Sequence, residues 1–323
     1  MKGKPMVSLS LDLDNKWSYL KTHGSDAWCD YPSYLDYVVP RILDFLAQHD
    51  TKITFFVVGQ DAALEKNQAP LSMLTAAGHE IASHSFQHEP WLHLYSERDL
   101  HEELEKAEQA IVAATGASVE GFRGPGFSIS ETTLQVLKQR GYRYDATAFP
   151  NILNPLARAY FFAKSNLSDE EKERRKGLFG SYSDAFRPVK PYRWSLGDSQ
   201  LLELPVTTMP IFKVPIHFSY LIYLASFSPL LARIYMRFAM SMCRLTKTEP
   251  SLLLHPLDFL GSGDEPDLAF FPAMSMQADE KIVLMSQLFS IILKHFRPVT
   301  IGEHVTSIGE RLELKSFEPR FNI

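Results

Sequence analysis

The chain has 323 residues, 45% hydrophobic and 22% charged, which is typical of a folded globular protein with room for one large barrel-type domain or two ordinary ones. Its net charge of −5, without an evident basic cluster, gives no reason to expect nucleic acid as a partner. The only two cysteines, Cys29 and Cys243, form neither a disulfide framework nor a CxxC motif, which favours a reducing compartment.

The first residues do not have the pattern of a secretory signal. Asp12 and Asp14 interrupt the apolar run that a signal peptide needs, so we expect a cytoplasmic protein. No stretch approaches the ~20 uninterrupted apolar residues of a membrane span. The nearest, residues 220–240, is interrupted by a proline and two arginines.

The first half of the chain alternates strand-like and helix-like segments. Periodicity, caps and turn residues predict strand 7–14, helix 34–48, strand 53–58, helix 70–77, strand 79–83, helix 96–116, a short strand into 122, a helix from the cap Ser128 to Gly141, and strand 142–149. Such βα repeats with short loops indicate parallel strands covered by helices.

The regular alternation fails after Pro150 and resumes later. Residues 151–200 contain a charged run and a Pro- and aromatic-rich stretch, and residues 210–245 are unusually apolar. Between and after them the sequence predicts strand 201–206, strand 251–255, helix 279–295 and strand 298–301. We therefore predict a single α/β domain over 1–323, a distorted (β/α)7–8 barrel with an inserted segment, and place insertions at 151–200 and 207–248.

Two carboxylates come at the end of the first predicted strand. Asp12 and Asp14 project from the same face of a strand because side chains alternate with period two. Like charges this close are costly unless a cation or a shared proton compensates. A strand end that runs into a polar turn is the alternative interpretation.

Two histidines follow the third predicted strand. His84 and His88 are four residues apart, and on a helical turn both imidazoles would reach one ion. Glu89, Pro90 and Trp91, which come next, indicate an ordered loop more than a free helix. A chance surface pair is the alternative.

Two further signals follow later strands. Arg123, Gly124, Pro125 and Gly126 predict a stiff turn that brings backbone N–H groups close to a ligand, with an arginine to hold a carboxylate. His255 ends a very apolar strand, where a core histidine is the ordinary interpretation. In βα-barrels, however, the carboxyl ends of the strands build the active site, and all these signals fall there.

These residues resemble the polysaccharide deacetylase family, the NodB-like enzymes of carbohydrate esterase family 4. The resembling motifs occur in family order: Ser10–Asp14, His84–His88, Arg123–Pro125, Tyr144–Asp145 and Leu252–His255. The resemblance covers roughly residues 5–150 and 250–305. Leu13 separates the aspartates, as in a branch with a DxD start, and Phe149 stands where a tryptophan is usual.

The resemblance implies a metal-dependent amide hydrolase on a barrel of the NodB-homology type. Asp14, His84 and His88 would hold one divalent ion, zinc first, although this ligand set also accepts cobalt, nickel or iron. Asp12 would be the general base, kept ionised by Arg123, and His255 would protonate the leaving amine.

Three more residues receive roles from the same resemblance. Asp145 would orient or charge His255. The turn at Pro125 and Gly126 would offer a backbone N–H to the developing oxyanion.

The implied substrate is an N-acetylated or otherwise N-acylated sugar, in a polysaccharide or a lipid-linked precursor. A deformylase or cyclic imide hydrolase on the same scaffold, and a sugar-binding protein without activity, are the alternatives. The apolar 210–245 segment is compatible with membrane association, and an inserted helical hairpin packed on the barrel is the simpler explanation. The sequence leaves the oligomeric state open.

Overall fold

The computed structural model describes residues 3–165, 167–174, 182–311 and 313–321. Its strands are Met6–Leu13 (β1), Thr54–Val57 (β2), Glu80–Ser83 (β3), Gly121–Phe122 (β4), Tyr144–Asp145 (β5), Tyr192–Leu196 (β6), Ser199–Glu203 (β7), Ser251–Leu254 (β8), Arg297–Val299 (β9) and Ser316–Phe317 (β10).

Helices alternate with most of these strands. They are Lys16–His23 (α1), Leu35–Gln48 (α2), Gly59–Ala63 (α3), Glu65–Ala76 (α4), Glu97–Thr115 (α5), Glu131–Gln139 (α6), Asn154–Lys164 (α7), Asp169–Arg174 (α8), Phe218–Phe227 (α9), Pro229–Leu245 (α10), Ala278–His295 (α11) and Ile301–Arg311 (α12).

The strands form one sheet in which β1 is central. The order is β10-β6-β7-β5-β4-β3-β2-β1-β8, with β9 also paired to β1, and only the β6–β7 pairing is antiparallel among the named strands. The sheet curves round on itself beyond β7, because Val206 donates its N–H to Ala148 and Thr207 donates its own to Ser251 at the start of β8. The predicted mixed α/β fold with a largely parallel sheet, closed as a distorted barrel, is confirmed.

Most predicted elements are present within a few residues of their expected ends. Ser96 and Gly116 cap α5 as expected. The cap of α6 was wrongly placed, because Ser130 and not Ser128 accepts the N–H of Thr133. The strand expected at 142–149 pairs regularly only over Tyr144–Asp145.

The two predicted insertions differ in structure. Residues 151–200 contain α7, α8 and β6, and the β6–β7 hairpin was not predicted. Residues 207–248 contain α9 and α10, which pack on α11 and on the turn after β8. Their status as insertions and the single-domain assignment over 1–323 stay predictions. No helix in the described part of the chain is both long and apolar enough to cross a membrane.

Candidate active site

The polar residues that follow β1 and β3 converge at one point. The Nε2 atom of His88 lies 2.9 Å and that of His84 3.4 Å from Oδ1 of Asp14. One ligand atom from each residue lies within 4.8 Å of the others, and all three side chains are buried. Burial alone would raise the pKa of Asp14, but the two histidines hold it well below its usual range.

The two histidines are carried by an ordered loop, as residues 89–91 predict, and not by a helical turn. Ser85 and His88 both have positive φ, 61° and 54°, so the chain after β3 is irregular. This loop turns both imidazoles toward Asp14. The pairing of His84 and His88 at one point is nevertheless present.

Glu103 of α5 fixes the conformation of this loop through hydrogen bonds to its backbone. Its Oε1 accepts the backbone N–H groups of Phe86 at 2.9 Å and Gln87 at 2.6 Å, and burial raises its pKa. Sequence reasoning missed Glu103, although it shares the apolar face of α5 with Leu100, Leu104 and Ala107. A carboxylate at a core position is the signal that could have revealed it.

Asp12 lies beside the ligand set and forms an ion pair with Arg123. The Nη1 atom of Arg123 donates to Oδ1 of Asp12 at 2.6 Å and to Ser10 at 2.9 Å. The guanidinium is fully buried, stacks 4.1 Å above the ring of Phe56, and donates through Nε to the carbonyl of Ala146. Because the guanidinium is itself held in place by Ser10 and Ala146, its single bond through Nη1 fixes the direction of the Asp12 carboxylate.

Arg123 also orients one histidine. Its backbone carbonyl lies 2.7 Å from Nδ1 of His84. A carbonyl can only accept, so this ring nitrogen is the protonated one and Nε2 is left as an electron-pair donor facing Asp14.

Asp145 lies in the barrel interior next to a second buried carboxyl group, Glu203 of β7. Residues 145 and 203 are register partners, and their side chains are hydrogen-bonded to each other. Burial raises the pKa of both, and that of Glu203 lies well above its usual range because of Asp145 as well. Two buried carboxyl groups this close share a proton. Sequence reasoning missed Glu203.

The imidazole of His255 is held by a different pair of residues. Its Nδ1 lies 3.0 Å from Oγ of Ser219 in α9, and Ser219 is hydrogen-bonded to the buried carboxyl group of Asp258. Asp258 also accepts the backbone N–H of His255 at 2.9 Å. Asp145 bonds instead to Thr147 and Glu203, so its predicted role in orienting His255 stays a prediction.

The strand register brings His255 next to the carboxylates of β1. Leu254 of β8 pairs with Leu11 of β1, so His255 and Asp12 are the next residues on adjacent strands. Arg123 likewise follows Phe122, which pairs with Ser83 just before His84. All the predicted site residues thus occupy the carboxyl edge of the sheet.

Aromatic side chains adjoin His255. The ring centroid of His217 lies 6.0 Å from that of His255 and 5.7 Å from that of Phe149. Phe149 stacks on Phe127, with centroids 4.6 Å apart. Burial, then His255 and Arg123, lower the pKa of His217 well below its usual value, so it is a neutral imidazole.

Pro125 and Gly126 lie in the turn that immediately precedes Phe127 and the other aromatic side chains near His255. Pro125 is buried, and Gly126 has φ 59°, a left-handed conformation. Gly124 is tightly enclosed, because a Cβ there would lie 2.1 Å from the carbonyl oxygen of Ser128. The turn is therefore rigid, as the sequence predicted.

The three-residue ligand set fits a divalent transition metal. Two imidazole nitrogens and one carboxylate oxygen are a common set for zinc in catalytic sites, where the remaining position stays open. The two imidazoles face one carboxylate oxygen, and the carbonyl of Arg123 fixes the tautomer of His84, as expected for a prepared ligand.

Similarity to known proteins supports the resemblance seen in the sequence. Residues 28–144 match the family described as polysaccharide deacetylase. A peptidoglycan deacetylase from Helicobacter pylori is 23% identical over 211 residues, which cover 61% of this chain and 68% of that protein. The resemblance to the polysaccharide deacetylase family is thereby confirmed.

A second curated relative matches a shorter stretch, and a solved structure matches the whole chain. A chitooligosaccharide deacetylase from Sinorhizobium fredii is 39% identical over 88 residues, which cover 27% of this chain and 39% of that protein. A crystal structure of a Mycobacterium smegmatis protein, named for the same activity, superposes with a TM-score of 0.64 at 18% identity. It covers 100% of this chain and 97% of its own, and it supports the fold.

These relatives confirm the prediction of a hydrolytic enzyme of the polysaccharide deacetylase type. The family match includes His84, His88 and Arg123, whereas Asp12, Asp14 and His255 lie outside its bounds. The roles of these last three residues are therefore argued from geometry.

Proposed function

We propose that this protein is a metal-dependent hydrolase that removes the acetyl group from an N-acetylated sugar. The observation that carries the proposal is the convergence of His84 and His88 on Asp14, beside the Asp12–Arg123 ion pair and with His255 on the neighbouring strand. This arrangement supplies a base, an acid and an electrophile at one edge of the barrel.

Asp14, His84 and His88 would hold the ion, zinc first and cobalt, nickel or iron as alternatives. A bound divalent ion of this kind acidifies water and polarises a carbonyl oxygen. The same edge of the sheet supplies the groups that move protons.

Asp12 is the proposed general base. Its carboxylate takes a proton from the water that attacks the acetyl carbonyl carbon, and Arg123 keeps that carboxylate ionised and aimed. The N–H of Gly126 is the proposed backbone donor to the carbonyl oxygen.

His255 is the proposed general acid. When the C–N bond breaks, Nε2 of His255 gives its proton to the sugar amine and acetate departs. Before this transfer the Nδ1–H of the imidazolium donates to Ser219, whose hydroxyl donates to Asp258, and after it the neutral ring keeps the same two hydrogen bonds.

The proposed substrate is an N-acetylated saccharide, free or attached to a lipid, in the cytoplasm. The names of the relatives support a sugar substrate. The aromatic group near His255 supports it as well. Phe127 stacks on Phe149, and the ring centroid of Tyr220 lies 4.5 Å from that of His217. Both Phe127 and Tyr220 are partly exposed and offer an apolar surface to a sugar ring.

Metal content and acetate release test the proposal together. Purified wild type, Asp14→Ala and His84→Ala would be analysed for transition metals, with His101→Ala as the control, because His101 is a half-buried histidine of α5 that is bonded to Gln139. We expect about one ion per chain in the wild type and the control, and none in the other two variants.

Activity would be measured on N-acetylated chitooligosaccharides before and after chelation. We expect acetate release that is lost on chelation and restored by zinc or cobalt. A folded, metal-supplemented wild type without bound ion would refute the proposal. Release of formate or opening of a cyclic imide in a panel of substrates would favour the other amide hydrolases, and tight saccharide binding without turnover would favour a binding protein.

A further inference from the structure

The α9–α10 segment exposes an unusual amount of apolar surface. Of the eighteen exposed large hydrophobic side chains among the described residues, nine lie between residues 207 and 248. Six of them form what we call the exposed apolar stripe: Phe212, Phe227, Leu230, Leu231, Ile234 and Phe238. A concentration of this kind marks an interaction surface.

Helix α10 is apolar on two separate faces. Met236, Ala239 and Cys243 are buried and face the rest of the protein. Leu230, Ile234 and Phe238 recur at four-residue intervals on the opposite, solvent-facing side, and this spacing aligns them along the helix. The buried apolar face accounts for the packing of the α9–α10 hairpin on the barrel. That packing gives no reason for the second apolar face, which is exposed to solvent.

Neighbouring residues extend the exposed apolar stripe beyond α10. Phe212, in the loop before α9, places its ring centroid 6.1 Å from that of Phe238. Phe227, at the end of α9, is 72% exposed and contacts the ring of Tyr223. The stripe therefore draws its side chains from three parts of the segment: the loop before α9, the end of α9, and α10.

The charge of this segment is opposite to that of the whole chain. Residues 204–248 contain no aspartate or glutamate but five lysines and arginines, in a chain with a net charge of −5. Arg237 and Arg244 are exposed and, with Arg233, occupy the edge of α10 next to the exposed apolar stripe. An apolar face with a row of arginines along its edge is the pattern of a helix that lies in a membrane interface.

We propose that the exposed apolar stripe docks the protein on the surface of an anionic phospholipid bilayer. Phe227 and Phe238 would enter the headgroup region, and Arg237 and Arg244 would meet lipid phosphates. The docking surface would also lie close to the candidate active site. Ser219 touches His255, and Phe227 follows about 12 Å further along α9 at 1.5 Å per residue.

Vesicle co-sedimentation of the full chain tests the docking surface. The vesicles would be pure phosphatidylcholine, or equal parts phosphatidylcholine and phosphatidylglycerol. We expect binding to the anionic vesicles, at least about tenfold weaker binding of the double variant Phe227→Ser, Phe238→Ser, and about fivefold weaker binding of Arg237→Gln. The matched control is Val283→Ser on α11, 58% exposed and outside the stripe, which should bind like the wild type.

Two measurements keep this test independent of folding and of the proposed reaction. Circular dichroism and melting temperature should be unchanged in the double variant, since both side chains are exposed. His255→Ala should bind vesicles like the wild type even though it lacks the proposed acid, so a failure of the deacetylase proposal leaves this result unaffected.

Several outcomes would overturn the docking proposal. They are absence of vesicle binding by the wild type, equal binding to both vesicle types, or equal binding by the double variant. Light scattering that shows a dimer in the wild type and a monomer in the double variant, without vesicle binding, would assign the stripe to a second copy of the chain.

Discussion

Ser219 offers the sharpest test of the proposed acid, because it stands between the imidazole of His255 and the carboxylate of Asp258. Ser219→Ala removes both hydrogen bonds and leaves the catalytic Nε2 in place. A hydrogen bond to a charged group contributes about 1.5–3 kcal/mol. At about 1.36 kcal/mol per factor of ten in rate, its loss should lower kcat by roughly ten- to a hundredfold.

The loss follows from the hydrogen bond that Ser219 makes to the proposed acid. The hydroxyl is bonded to Nδ1 of His255 and so fixes the orientation of the imidazole, with Nε2 free to reach the sugar amine. Without this bond the ring is no longer held for proton transfer, so kcat should fall while KM stays within about twofold of the wild type.

The assay is steady-state acetate release at one pH, with two comparison variants. Ser219→Thr keeps the hydroxyl and should restore the wild-type kcat. Ser226→Ala removes a hydroxyl of the same helix that bonds to the backbone of Tyr223, and it should leave kcat and KM unchanged. An equal kcat in Ser219→Ala and the wild type would refute this account of His255.

Three further predictions concern stability. Glu203→Gln should flatten the pH dependence of the free energy of unfolding measured in urea. Burial raises the pKa of Glu203, so the protonated carboxyl group stabilises the fold fully below the pKa of the unfolded chain, and this stabilisation is lost as pH rises toward the folded pKa. Above about pH 4.5 the variant should therefore gain stability relative to the wild type by up to about 1.36 kcal/mol per pH unit. Parallel curves for the two proteins would contradict a shared buried proton. Gly121→Ala should lower the unfolding free energy by about 1–3 kcal/mol, because its Cβ would lie 2.0 Å from the ring of Tyr144, whereas Gly309→Ala, with open space in α12, should be neutral or slightly stabilising in the same urea titration. Zinc at 100-fold its Kd should stabilise the wild type by about 2.7 kcal/mol in thermal unfolding but not Asp14→Ala, and equal shifts in both would exclude Asp14 as a ligand.

The order of strands and helices in the first half was predictable because its signals are local. Hydrophobic period and caps such as Ser96 depend on neighbours in the sequence, and they located α5 to the residue. The β6–β7 hairpin was not predicted, since β6 follows a charged and Pro-rich stretch and its partner strand had been interpreted as part of a parallel unit.

The residues of the candidate site could be predicted from the sequence, but several of their hydrogen-bond partners could not. Asp14, His84 and His88 could be selected because each follows a predicted strand, and carboxyl ends of parallel strands meet at one edge. The hydrogen-bond partner of His255 could not be selected in this way, because Ser219 lies in an apolar helix 36 residues away in the sequence and belongs to no motif. Contacts between distant segments depend on packing, which local patterns do not encode.

The position of β1 has a consequence for how the chain is completed during synthesis. β1 is buried along its whole length and pairs with β2 on one side, but its other partners are β8 and β9, at residues 251–254 and 297–299. Every proposed metal ligand is made before residue 90, whereas the strands that cover the open edge of β1 arrive only near the end. A nascent chain stalled between these points would therefore present a bare apolar strand edge together with an assembled ligand set, a form prone to pair with other strands.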